Sequence, residues 1–196
     1  MYVIQSAMKI GPFIDHIADV YRVNKKTVAV FARFLREAGL LTSGGRGCHA
    51  PHMQPIDAAR MTIALLATDK PARAVERVQQ FAGLTALPEG EGYSPALGIV
   101  EGATLEIVLT NLFSAEFSLS LLDRFVSLSV NESERTAFIE FFHDVASLKG
   151  GIVFFKGPLA SEKEINQRVE EGRGIRLTRQ ITSADLYDIN VSLRCS

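Results

Sequence analysis

The stretch from Pro12 to Leu41 constrains the fold most, because two helical stripes lie either side of a three-residue break. Phe13, Ile14, Ile17, Ala18 and Val20 or Tyr21 recur at the spacing of an amphipathic helix, with Asp15, His16 and Asp19 between them. Pro12 suits its first turn, where a missing N–H costs nothing. Arg22, Val23 and Asn24 break the pattern. Asn24 can accept an orphan backbone N–H, so it predicts the N-cap of a second helix over Lys25–Ala38. In that helix Val28, Phe31, Ala32 and Leu35 form the apolar stripe, and Lys25, Lys26, Ala29, Arg33 and Arg36 lie largely opposite. Gly39 is placed to end it.

Beyond this pair, Leu40–Thr42 reads as a short extended run leading into Ser43–Gly47, a turn or flexible hairpin tip. Pro55, Ile56 and Asp57 open a third helix ending near Ala67, apolar at Ala59, Ile63 and Leu66. Asp69 is the expected cap of a fourth, with Pro71 near its first turn and Ala74, Val75, Val78 and Phe81 inside. Leu84–Pro95 holds two prolines and two glycines in twelve residues, the composition of a linker. Residues 1–84 are thus expected as one domain, 85–95 as a linker and 96–196 as a second domain. In that second part the spacing predicts a helix over Thr104–Phe113 and a half-buried strand over Phe125–Val130. It then predicts an Asn131-capped helix over Glu132–Val145 that Gly150 and Gly151 stop, and a buried strand over Ile152–Phe155. A charged helix over Ser161–Glu171 opens on the capping-box pair Ser161 and Glu164. A strand over Gly174–Ile181 and a Thr182-capped helix over Ser183–Ser192 close the chain. This order suggests a small mixed α/β domain, so the whole reads as α+β. Phe138, Phe141, Phe142, Phe154 and Phe155 are expected in its core.

The near-neutral total charge of −1 conceals an asymmetry. Residues 1–84 carry 11 Lys and Arg against 6 Asp and Glu, a balance of +5; residues 85–196 carry 10 against 16, a balance of −6. A basic half points to a polyanionic partner, or to mutual attraction between the halves. Hydrophobic residues at 47% and charged residues at 22% exclude a disordered chain. Two cysteines, Cys48 and Cys195, cannot build a disulfide framework and fit a reducing cytoplasm. The first residues lack the pattern of a signal peptide, and no apolar run is long enough to predict a membrane span.

One ordering of residues is more informative. Ile14, Ile17 and Ala18 supply a supporting helix, Val23 plugs a turn, and Thr27 and Val28 open a second helix. Leu35–Leu41 then closes that helix, and Ser43–Gly47 follows as a glycine-rich tip. Over about its first 53 residues the chain resembles the winged helix-turn-helix family. The resemblance implies a winged helix-turn-helix with two appended helices, sequence-specific binding of double-stranded DNA, transcriptional control, and homodimers on two half-sites. A helix about 10–12 Å wide fits the major groove, and its N-terminal positions approach the base edges. Here those positions are Asn24, Lys25, Lys26, Thr27 and Ala29, with Val30 and Arg33 one turn on. No acidic residue occurs from Arg22 to Arg36, as a phosphate-facing surface requires. Arg46, between glycines, is expected to reach the minor groove or the backbone.

Other constellations carry less. Cys48, His49 and His52 are potential zinc ligands, but a closed site needs a fourth, so no metal is expected. His16 and His143 stand alone on segments expected to be helical. The glycines around 150 and 172–174 lack the spacing of a phosphate-binding loop. Hence no catalysis and no cofactor are expected. The second domain is expected to dimerise, bind a protein partner or sense a small effector. Two rivals share the same DNA-binding unit or its fold: a phage or mobile-element protein for DNA packaging or replication, and a winged-helix protein–protein adaptor.

Overall fold

The computed structural model describes residues 8–45, 49–86, 100, 102–114, 125–132, 135–144, 149–157, 178–182 and 189. These form a mixed α+β fold: α1 (Ile10–Tyr21), α2 (Lys25–Glu37), α3 (Pro55–Ala67), a 3-10 turn (Pro71–Arg73), α4 (Ala74–Ala82), β1 (Thr85–Ala86), α5 (Leu105–Phe113), β2 (Phe125–Asn131), β3 (Thr136–Asp144), β4 (Lys149–Lys156) and β5 (Thr178–Thr182).

The first two helices follow the periodicity of the sequence. α1 buries Phe13, Ile17 and Ala18; α2 buries Val28, Phe31, Ala32 and Leu35. Each ends in a Schellman motif. Val23 N–H donates to Ala18 O and Arg22 N–H to Asp19 O at the end of α1; Leu40 N–H donates to Leu35 O and Gly39 N–H to Arg36 O at the end of α2. Gly39 takes the left-handed conformation that the second motif needs, with φ of 71°. In the first motif that place falls to Arg22, with φ of 52°, a backbone region that costs a residue with a Cβ about 1–2 kcal/mol. Asn24 then caps α2 as expected, its Oδ1 accepting from Lys26 N–H at 2.9 Å.

α3 lies at the centre. The sequence shows a stripe of Ala59, Ile63 and Leu66, but nine of the thirteen residues of α3 are buried, Asp57 and Thr62 among them. A helix covered on nearly all sides must pack against several elements. α3 meets α4 and α5 most extensively, and also α2, β2 and β5. The alanines at 58, 59, 64 and 67, all fully buried, let these neighbours come close. Tyr21 Oη and Thr62 Oγ1, 2.6 Å apart, tie α1 to it. Thr68, rather than Asp69, supplies the turn into the next helix, its hydroxyl accepting from Lys70 N–H.

The five strands form one sheet in the order β1-β4-β3-β2-β5, every neighbouring pair antiparallel. Thr85 and Ala86, expected to begin a linker, instead pair with Lys156 and Phe155 as β1; residues 87–99 lie outside the described residues. The expected helix over Glu132–Val145 is absent from the described part of that range. Asn131 caps no helix: it pairs with Thr136 at the end of the β2–β3 hairpin. Ala137 and Ile139 are buried while Phe138 and Glu140 are half-buried, a period of two. The aromatics at 138, 141 and 142 also fit a spacing of three to four, but phenylalanine and isoleucine favour the pleated surface when a partner strand is present. His143 is accordingly on a strand. Gly150 and Gly151 do not end an element; they lie within β4, opposite Phe142 and Phe141. β2 is more than half-buried. Leu128 and Val130 are covered, and so are Ser127 and Ser129 between them. Ser127 meets the cost of burial by donating to Glu140 Oε2 across the β2–β3 pair, at 2.7 Å.

The expected helix over Ser161–Glu171 lies outside the described residues, as do Gly174–Leu177. Of the expected last helix only Ile189 is described, and it is buried. Phe155 is buried in the core, as expected. The buried residues of the helices and of the sheet form one contiguous cluster, from Phe13 and Ile17 to Val130 and Ile139.

Candidate nucleic-acid interface

The cations of the basic half include two groups. Those of α3, α4 and the 3-10 turn before α4 meet carboxylates of the acidic half. Arg60 Nε meets Glu106 Oε1 at 2.6 Å; Arg77 Nη2 and Arg73 Nη1 meet Glu132 Oε1 at 2.7 and 3.5 Å. Arg77, with 8% of its side chain exposed, also donates to Gln80. Arg73 further pairs with Glu76, and this hydrogen bond holds the Glu76 carboxyl below its ordinary pKa range and raises that of Arg73. The attraction between halves anticipated from the charge balance is therefore carried by these arginines.

The cations of α2 form the other group, and they face outward. Lys25 and Arg33 have 65% and 56% of their side chains exposed, and Asn24, Lys26 and Arg36 are exposed as well. Thr27, Ala29 and Val30 are half-buried. Lys26, Ala29 or Val30, Arg33 and Arg36 recur every three or four residues, so one outer stripe alternates cations with small apolar groups. Over the seven steps from Lys26 to Arg33 it spans about 10 Å. Among the described elements α2 packs chiefly against α1, α3, α4 and the 3-10 turn, and the stripe residues stay exposed or half-buried.

Two carboxylates do reach it. Asp15 on α1 pairs with Lys25, and Glu37 pairs with Arg33 at 3.8 Å. The stripe is free of acid in sequence but not in space, because the turn at Arg22 folds α1 back beside the start of α2. Both pairs are exposed, so an incoming phosphate can replace either carboxylate at little cost. Arg33 also lies over the Phe34 ring, 5.2 Å from its centroid. The carbonyl oxygen of Asn24 is engaged in capping, which makes its first role structural.

The loop after α2 is narrow. Asp57, buried at the start of α3, accepts from Thr42 N–H through Oδ1 at 2.7 Å and from Gln54 N–H through Oδ2 at 2.6 Å. One carboxylate thus closes both ends of the intervening segment. Higher up, a Cβ on Gly44 would sit 3.1 Å from Pro51, and one on Gly45 3.1 Å from His49, so a side chain at either place would push its neighbour by a few tenths of an ångström. The described residues of this loop carry no strand pairing. Arg46–Cys48, and with them Arg46 as a site residue and Cys48 as a ligand, lie outside the described residues. A cleft of about 570 Å³ lies between this loop, Arg36 and Glu37 at the end of α2, and Ile10. Among the described residues no three His, Cys, Asp or Glu side chains gather as a metal site would require. No helix among them is long and apolar enough to cross a membrane.

Periodicity pointed to the α2 residues but not to Arg22, an exposed cation at the mouth of the same helix, nor to Asp57 and Arg60, which hold the segment that follows it. Pro55 with Asp57 two residues later is a helix-start pattern, and a carboxylate at that place was the one available signal for the loop clamp. In comparisons with protein-family models, curated proteins and solved structures, nothing matches this chain.

Proposed function

We propose that this chain binds double-stranded DNA through α2 and acts in transcriptional control, with no catalytic step. The observation that carries the reading is the outward cationic stripe of α2, held by a three-residue turn against α1 and left open by the elements packed around it. Lys25, Lys26 and Arg33 neutralise phosphates or reach guanine acceptors; Ala29 and Val30 offer apolar contact to thymine methyl groups. Thr27, and Asn24 through its remaining amide donors, add hydrogen bonds to backbone or base. In the proposal the narrow loop closed by Asp57 serves as the wing, Arg46 as its contact with the minor groove or backbone, and two copies of the chain bind two half-sites.

The test is the affinity of the full chain for a duplex as a function of salt. Each neutralised phosphate contributes about −0.9 to the slope of log K against log salt. For each bound chain, three cations engaged on α2 give a slope of about −2.7, steepened to about −3.6 by Arg46. A flat response, or no binding to any duplex in a genomic pull-down, overturns the reading and leaves a protein–protein adaptor in its place. Recovery of packaging or origin sites rather than promoters places the same DNA contact in a replication or packaging role.

A further inference from the structure

Arg60 stands one turn beyond Asp57 on α3 and touches both halves of the chain. Its Nη1 donates to Leu40 O at 2.9 Å, and its Nε donates to Glu106 Oε1 at 2.6 Å. Leu40 is the residue whose N–H completes the Schellman motif of α2 on Leu35 O. Two residues on, Thr42 N–H is held by Asp57. The segment leaving α2 therefore has two anchors on one face of α3, and one of them is linked by charge to the first turn of α5. The Arg60 and Glu106 side chains are each 23% exposed, so salt screens this pair less than the open Lys25–Asp15 pair. A planar guanidinium serves two acceptors in fixed directions; an ammonium in its place does not.

We propose that Glu106, acting through Arg60, sets the position of the C-terminal end of α2, so that α5 tunes duplex binding by the acidic half of the chain. The tuning rests on the reading of α2 as the duplex-contacting helix; the mechanical link to Leu40 does not. Glu106 and Arg60 are positioning residues, and neither meets DNA. A partner or small molecule that shifts α5, or competes for Glu106, changes the setting of α2 without touching the stripe itself.

The test uses the full chain with Glu106→Ala, Arg60→Lys and the double variant, read by amide hydrogen exchange and by duplex titration across salt. Each single variant speeds exchange at Leu40 about tenfold, the scale of one lost charge-assisted hydrogen bond, and the double variant adds little because the two residues act in series. Duplex affinity falls severalfold while the salt slope stays that of the parent, since no phosphate contact is removed. Should the alanine variant not fold, Glu106→Gln keeps the shape and removes the charge. Unchanged exchange at Leu40 overturns the link whether or not the chain binds DNA. Faster exchange with parental duplex affinity overturns the tuning. A parent chain that binds no duplex overturns the proposed function and the tuning together, and the exchange result then decides the link alone.

Discussion

Replacing Lys25, Lys26 and Arg33 together by alanine separates a DNA-contacting helix from a solvated one. All three are exposed, and their intramolecular partners are few: Asp15 for Lys25, Glu37 and the Phe34 ring for Arg33. Exposed ion pairs of this kind contribute at most about 1 kcal/mol each, and the cation over the ring about 0.5–1 kcal/mol. Alanine's helix propensity offsets part of that. The variant should therefore melt within a few degrees of the parent, since about 1 kcal/mol moves a chain of this size by about 2–4 °C. Duplex binding behaves differently. Three lost phosphate contacts remove about 2.7 from the slope of log K against log salt, and at about 0.1 M salt that is a loss of about 500-fold in affinity. Fluorescence anisotropy with a labelled duplex from about 0.05 to 0.2 M salt reads both quantities, and a thermal melt controls for folding. Parental affinity and slope in the triple variant would refute the assignment of α2. Lost affinity with a collapsed melt would refute the claim that these side chains are structurally dispensable.

Four further outcomes follow from the geometry. Arg22→Gly should stabilise the fold by up to about 1 kcal/mol in a denaturant melt, because glycine relieves the left-handed strain at the α1–α2 turn and returns part of the gain as chain entropy; Asn24→Ala should cost about 1 kcal/mol through the lost cap. Glu132→Ala should cost about 3 kcal/mol by removing the close partner of the buried Arg77 guanidinium and leaving it only Gln80 and a 3.8 Å approach to the exposed Glu76, whereas exchanging both Arg77 and Glu132 for apolar residues of similar size should recover most of that loss in the same assay. Glu76 titrates below its unfolded value because Arg73 donates to it, so this pairing stabilises the fold at neutral pH and is lost as pH falls through the glutamate range; Glu76→Gln should flatten the acid limb of stability against pH, and an unchanged limb would contradict the pairing.

Much of the first half was legible in order of residues alone. The stripes of α1 and α2, the cap at Asn24 and the Gly39 terminator depend on contacts within a few residues, and side-chain type determines them directly. α5 was legible for the same reason, although Thr104, read as its first residue, is its N-cap. The second half misled where one apolar run satisfied two periods at once. Phe138, Phe141 and Phe142 fit a helix by spacing, and only pairing with β2 and β4 makes residues 136–144 a strand. Gly150 and Gly151 likewise read as a stop when no partner strand is in view.

The candidate interface divides in the same way. Residue order by itself determined that a cation-rich helix follows a tight turn, since helix periodicity places Lys26, Arg33 and Arg36 on one side whatever surrounds them. Only the tertiary structure decided which cations stay open. Arg60, Arg73 and Arg77 resemble those of α2 in composition, yet they are drawn to Glu106 and Glu132, dozens of residues away. It also brought Asp15 to Lys25 and set Asp57 beneath the loop that follows α2. Charge acts through distance in space, and sequence separation says little about that distance until the chain has folded.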